Sequence, residues 1–466
     1  MSVILRNFLA LSLGEIASKG FGFLALVYLA RILGVESFGD LSFVLAIYSY
    51  LAILANQGFE IVGAKEIART KEPHSLIVGQ ILPIRAAFAI IALLCSLVLS
   101  LTAIIPESVR FILFLQSLNL LILPFSLYFV FQGLQEMRVI GAARTIQAVV
   151  YLVLILLAVH SPEDVSRVPL LLLASTAVSF MIPLGLYVKR SGVVSFRLRT
   201  EDWGQLLKVS VSLGITSIMI QVYSNLDVVM LGFLREAEVG YYSAAYKIVL
   251  AIGSIVNPYM AAIFPTLARL YEVDRNSLGQ FLFRVSRIVL LIAVPTVGLM
   301  GLYSMELMIL LFGHEYSQGV LPLQILLITQ IVIWIASPFA VPLVACNLAN
   351  RFLLATTVGA GMNFMLNIFL IPRYSMTGAA LATLLAEIVV GLIQYNYFTK
   401  LVLKISISKI ATGPVFLTLS IVSVGSLLHT IMPFYPAFFS IIVLWLGGIA
   451  IGLKRLGSLS RFTVAS

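Results

Sequence analysis

Charged side chains are scarce: Asp, Glu, Lys and Arg make up 11% of the 466 residues, against about 25% in an ordinary soluble domain. Hydrophobic residues make up 61%. Soluble enzymes, secreted disulfide scaffolds, nucleic-acid-binding domains and disordered tails are thereby excluded, because none leaves so much apolar surface unburied. Cysteine is nearly absent, and Cys95 and Cys346 both lie inside apolar runs, so neither a disulfide framework nor a thiolate metal site is available. Catalytic motifs are missing too. There is no Gly-Lys pair, hence no phosphate-cradling P-loop, and no HExxH or Asp-x-Asp, while His74, His160, His314 and His429 lie far apart. The chain is expected to be no enzyme, to hold no metal or cofactor, and to hydrolyse no ATP.

What is present is a succession of long apolar segments. They fall at about 8–30, 41–59, 76–101, 111–133, 145–160, 168–188, 209–231, 241–266, 287–312, 320–346, 352–371, 376–398, 411–431 and 435–453, and most approach the roughly 20 residues that a membrane-spanning helix needs. The fold expected is an all-α polytopic membrane protein of about fourteen transmembrane helices. The first segment is too long for a signal-peptide core and carries Glu15 and Lys19, so it is expected to be a retained helix.

The formal charge of +10 would suggest nucleic acid if it formed a patch on a soluble face, but the basic residues sit between apolar segments. With the amino terminus placed in the cytoplasm, 22 of the 30 Lys and Arg fall on the cytoplasmic side. Five fall opposite (Arg31, Arg110, Arg167, Arg235 and Arg373), and Lys19, Arg85 and Lys247 fall within the membrane. That asymmetry over short loops predicts a multi-pass protein of the cytoplasmic membrane with both termini inside. Its partners are then membrane lipids, not nucleic acid.

The longest connection, about 189–208, separates two similar halves. Gly39 and Gly240, each just before an apolar segment, correspond at an offset of 201, and Ala68-Arg69 and Ala268-Arg269 at an offset of 200. The organisation expected is an amino-terminal lobe over 1–190 (helices 1–6), a cytoplasmic linker over 191–208, a second lobe over 209–400 (helices 7–12), and two final helices over 401–466. Six helices per lobe keep the two halves in the same orientation, with a cavity between them as the transport site.

Charges inside the bilayer are costly and tend to line a wet interior or to pair. Glu15 and Lys19 are spaced i, i+4 and can neutralise each other; Asp227 and Lys247 fall at similar depth on adjacent helices and could also bridge. Arg85 has no evident partner in the sequence. Pro83, two residues earlier, permits a kink. Three cations at membrane depth suit an anionic phosphate or diphosphate substrate, because Arg and Lys give charge-assisted hydrogen bonds to its oxygens. Asp227, Glu15 and Glu387 are then candidates for ion coupling or gating. Gln57, Asn225 and Asn257 are candidates for a polar cavity lining, with helix-to-helix hydrogen bonding as the plainer alternative for such residues. Tyr241, Tyr242 and Tyr246 read as interfacial anchors.

Five stretches carry a family resemblance. They are Arg31–Gly39 (RILGVESFG), Gly58 with Ala64–Arg69 (AKEIAR), Asp227–Gly232 (DVVMLG) with Val239–Lys247 (VGYYSAAYK), Leu311–Tyr316 (LFGHEY) and Ile371–Thr383 (IPRYSMTGAALAT). Together, in this order, the chain resembles the polysaccharide transport (Wzx-type O-antigen or capsule flippase) branch of the multidrug/oligosaccharidyl-lipid/polysaccharide exporter superfamily. The resemblance implies a MATE-like fold of two six-helix lobes plus two carboxy-terminal helices. It implies a flippase that moves polyprenyl-diphosphate-linked oligosaccharide across the cytoplasmic membrane by alternating access, alongside other polysaccharide-assembly proteins. It also implies that basic residues facing the cavity bind the diphosphate, which points to Arg85, Lys19 and Lys247, with Arg31 as a further candidate. Arg85 lies outside the matched motifs. The alternatives are a cation-coupled multidrug exporter or a peptidoglycan-precursor flippase of the same superfamily. More distant is a membrane-embedded polysaccharide polymerase or ligase, which usually needs a large outward loop.

Overall fold

The structure is a computed structural model, and it describes residues 3–56, 58–69, 74–192, 203–234, 238–254, 256–431 and 434–462. The described residues form helices and turns, with no strand among them. The chain divides into two compact units, Met1–Ser243 and Ala244–Ser466.

The first unit contains α1 (Val3–Asn56), α2 (Phe59–Arg69), α3 (His74–Leu101), α4 (Glu107–Ser117), α5 (Tyr128–Gly133), α6 (Met137–Ala158), α7 (Val168–Ser191), α8 (Trp203–Leu234) and the start of α9 (Val239–Gly253). The second holds the rest of α9, then α10 (Val256–Val273), α11 (Arg275–Leu302), α12 (Ser304–Phe312), α13 (Val320–Ala345), α14 (Ala349–Leu401), α15 (Ile407–Ile431) and α16 (Phe434–Phe462).

Nine helices among the described residues are long and apolar enough to cross a membrane. Two of these exceed fifty residues, Gly14–Arg69 and Ala349–Leu401. A straight helix of 54 residues, the length of α1, would extend about 80 Å, more than twice a hydrocarbon core of about 30 Å. Both long helices are broken. Gly34 takes φ 71°, ψ 178° inside α1, a left-handed backbone that glycine alone adopts without strain. Ser375 takes φ 49°, ψ −130° inside α14.

The break in α14 is a reversal. Asn363 Nδ2 donates to Thr383 Oγ1 at 3.4 Å, yet twenty residues of straight helix would part them by about 30 Å. The two legs therefore lie side by side, and Gly378 packs against the Leu370 carbonyl where a Cβ would collide. These legs match the segments expected at 352–371 and 376–398, with Arg373 and Tyr374 exposed at the tip.

The segment expected as one helix over 111–133 is interrupted. α4 ends at Ser117, two short 3₁₀ turns cover Leu118–Leu121 and Leu123–Phe125, and α5 starts only at Tyr128. Pro124 has no N–H to donate to the carbonyl four residues before it, and the regular ladder resumes only at Tyr128, so carbonyls along the break need partners from elsewhere. The interior of this unit packs around the break, with Phe59, Ile81, Leu127, Phe129 and Phe131 all buried.

A buried arginine network and the other intramembrane charges

The partners of the broken segment come from α3. Arg85 is 1% exposed. Its Nη1 donates to the Ser126 carbonyl at 2.9 Å, and its Nη2 donates to the Leu123 carbonyl at 2.9 Å and to Ser126 Oγ at 2.8 Å. The planar guanidinium suits this task, since its fork reaches several acceptors at once. Irregular backbone at membrane depth is tolerated where protein groups satisfy it; here one side chain covers the Ser126 carbonyl and gives a second donor to the Leu123 carbonyl, which also accepts from the Ser126 amide at 3.1 Å.

The charge is matched from α2. Glu60 Oε1 lies 3.8 Å from Arg85 Nη2 and accepts from Ser126 Oγ at 3.4 Å. The arginine without an evident partner thus has one, 25 positions upstream on a neighbouring helix. Close by, the Tyr128 and Ser179 hydroxyls share a 2.5 Å hydrogen bond, Ser179 Oγ donates to the Ala143 carbonyl, and Arg144 lies over the Tyr128 ring.

Glu15 and Lys19 pair on α1 at 3.5 Å, with side chains 43% and 47% exposed. The i, i+4 reading therefore holds. Arg31 is exposed on the same helix, just before the Gly34 break. Asp227 is buried on α8 and accepts from Tyr242 Oη at 2.7 Å. Tyr242 is 0% exposed, so it is a core residue holding a carboxylate, not the interfacial anchor that its place at a helix start suggests. Lys247 is half-buried on α9, and no ion pair to it occurs among the described residues. Glu387 is half-buried on the second leg of α14, and Asn225 half-buried on α8. Gln57 and the Asn257 side chain lie outside the described residues.

Arg85 with Glu60 and Ser126, Lys19 with Glu15, and Asp227 with Tyr242 are thus three partnerships among the described residues. Glu60, Ser126 and Tyr242, which complete two of them, carry no sequence signal of that role beyond being polar near apolar runs. Polar residues elsewhere tie helices together. Asn119 Nδ2 donates to the Gln116 and Pro169 carbonyls at 3.2 Å, Gln221 Nε2 donates to Ser49 Oγ at 2.5 Å, and Asn367 Nδ2 donates to Asn363 Oδ1 at 3.0 Å.

The residues matched at an offset of 201 meet in space. A Cβ on Gly39 would stand 2.9 Å from the Gly240 amide nitrogen, and one on Gly240 would collide with the Val35 carbonyl oxygen. Gly232 faces the ring of Phe43 with no room for a methyl group. Close approach of backbones through small residues is how helices associate within membranes.

Known proteins bear on these features at three levels. Residues 4–271 match the family described as polysaccharide biosynthesis protein. The chain is 22% identical, over 83% of its length and 94% of the relative's, to the "Putative O-antigen transporter" of Escherichia coli (strain K12). It is 26% identical, over 40% of each chain, to the "Probable low-salt glycan biosynthesis flippase Agl15" of Haloferax volcanii. Its fold is similar to that of the lipid II flippase MurJ in an inward closed conformation, with a TM-score of 0.80 at 13% identity over 97% of this chain and 99% of that one. With more than half its length matched, the chain belongs to the polysaccharide biosynthesis protein family.

Proposed function

We propose that the protein is a flippase that moves polyprenyl-diphosphate-linked oligosaccharide units, precursors of an O-antigen, capsule or other exopolysaccharide, across the cytoplasmic membrane. The observation that carries this reading is the likeness over 83% of the chain to a protein named for O-antigen transport, within a family named for polysaccharide biosynthesis. The chain is built of apolar helices with short connections, so its work is done at membrane depth. A multidrug exporter is less well supported, because the family and the relatives are named for glycans.

In this reading both termini are cytoplasmic, residues 1–190 and 209–400 form two lobes that alternate access, and 401–466 supplies two further helices. Lys247, Lys19, Arg31 and Arg85 are the proposed diphosphate ligands, and Asp227, Glu15 and Glu387 the proposed coupling or gating carboxylates. Lys247 is the strongest of the cations: it is half-buried and in no ion pair among the described residues. Arg85 donates to the chain's own acceptors, so contact with substrate would require that network to open. The protein works as a transporter, with no covalent step.

Reconstitution tests it. Liposomes carrying the purified protein and a fluorescent polyprenyl-diphosphate oligosaccharide should show movement of the probe between leaflets, altered by an imposed proton gradient if coupling is to protons. Lys247→Gln should slow that movement while leaving the protein folded. No movement, alongside efflux of a cationic dye, would overturn the glycan reading in favour of drug export.

A further inference from the structure

In the second unit the start of α11, the end of α14 and the start of α15 enclose a cleft of about 1150 Å³. All its charged residues are cations: Arg284 on α11, Lys400 in the last turn of α14, Lys404 in the connector and Lys409 on α15, with no Asp or Glu in the lining. None of the four is in an ion pair among the described residues. Lys400 has a local reason to be there, since a cation suits a helix carboxy terminus. Lys409 has the opposite placement. It stands in the first turn of α15, where the helix end is itself positive. Four cations facing one space repel unless an anion joins them.

Phe283, Tyr395, Leu403 and Ile405 give the cleft an apolar wall, beside the uncharged polar Asn276, Gln280, Asn396, Thr399 and Ser406. Gly279 lets the connector close on α11, since a Cβ there would stand 2.5 Å from Leu403 Cδ2. A small free anion would satisfy the lysines and leave this wall and most of the volume unused. An amphiphile satisfies both. The three helix ends also coincide with the ends of candidate spans Arg275–Leu302, Ala349–Leu401 and Ile407–Leu428, which puts the cleft at the level of lipid headgroups.

We propose that this cleft binds the phosphate-bearing headgroup of a lipid, with the cations on the phosphate and the apolar wall on the start of the hydrocarbon. That the leaflet concerned is the cytoplasmic one rests on the orientation proposed above. Two sources share this chemistry: an anionic phospholipid of the bilayer, and the diphosphate end of the transported lipid itself.

The test uses the full-length protein in nanodiscs of phosphatidylcholine, with labelled phosphatidylglycerol and polyprenyl diphosphate as probes. Arg284→Gln/Lys404→Gln/Lys409→Gln should weaken phosphatidylglycerol binding by roughly a hundredfold, and raised salt should weaken wild-type binding in the same direction. Arg284→Lys/Lys404→Arg/Lys409→Arg should bind as wild type does. If the triple Gln variant fails to fold, Lys404→Gln alone, in the connector, should still weaken binding by about tenfold or less. Displacement of phosphatidylglycerol by polyprenyl diphosphate would identify the transported lipid as occupant; charge-dependent binding without displacement would identify a resident phospholipid. Equal binding of both probes by wild type and the Gln variants would overturn the proposal. Binding is read without transport, so a protein that binds but moves no oligosaccharide would sink the flippase reading and leave this site standing.

Discussion

A guanidinium that water does not reach must find its acceptors inside the protein, and Arg85 finds them on a stretch of chain that has stopped being helical. Removing it leaves the Ser126 carbonyl without its donor, takes one of two donors from the Leu123 carbonyl, and leaves Glu60 without its cation. Arg85→Ala is therefore expected to cost about 3–5 kcal/mol of stability, seen as a lower melting temperature in detergent and a poor yield. Arg85→Lys should recover only part, because an ammonium cannot span the same acceptors. A variant that melts like wild type but fails to move substrate would instead place Arg85 in substrate binding. The sequence shows that an arginine lies at membrane depth, but Glu60 is on another helix, and only packing decides which carboxylate comes near. Glu15 and Lys19 were legible because their pairing follows from helical spacing alone. Tyr242 was not, since an aromatic residue at a helix start looks the same whether it meets headgroups or a buried Asp227.

At the scale of elements, the apolar runs at 352–371 and 376–398 were legible as two helices, and the reversal at Ser375 joins them. The interruption between Ser117 and Tyr128 was hidden, because hydropathy stays high through it and only Pro124 hints at a break. The α14 hairpin is tied by Asn363, which donates to Thr383 and accepts from Asn367. Asn363→Leu should lower stability by about 1 kcal/mol, read by thermal unfolding. Asp274 caps α11. Its carboxylate accepts from the Ser277 hydroxyl at 2.5 Å and from the Asn276 and Ser277 amides, and these bonds, the hydroxyl first, hold its pKa below the ordinary carboxylate value. A depressed pKa stabilises the folded form above the unfolded-state value, and the gain disappears as pH falls through the folded one. Protection of the Asn276 and Ser277 amides against hydrogen exchange should thus fall in acid, below the ordinary carboxylate range. Asp274→Asn, which can still cap, should flatten that dependence.

For the molecule as a whole, the orientation read from charge asymmetry is open to direct labelling. With Cys95 and Cys346 replaced, Arg373→Cys at the exposed α14 tip should react with an impermeant maleimide from outside intact cells. Lys65→Cys, exposed on α2, should react only after lysis; the reverse pattern would invert the topology. The offset of 201 was legible as a correspondence between Gly39 and Gly240, whereas their contact was not, because a repeat says which positions are alike and nothing about which ones touch. Gly22 has open space around it, so Gly22→Ala should be neutral or stabilising by up to about 1 kcal/mol, while Gly240→Ala should lower the melting temperature. The two crowded glycines on either side of 235–237 differ in what crowds them, and that difference has a genetic signature. Gly232 is hemmed in by the ring of Phe43, a side chain that mutation can shorten, so revertants of Gly232→Ala should arise at Phe43. Gly240 is hemmed in by the main-chain carbonyl of Val35, which every amino acid carries, so a selection for revertants of Gly240→Ala should return no rescuing substitution at Val35.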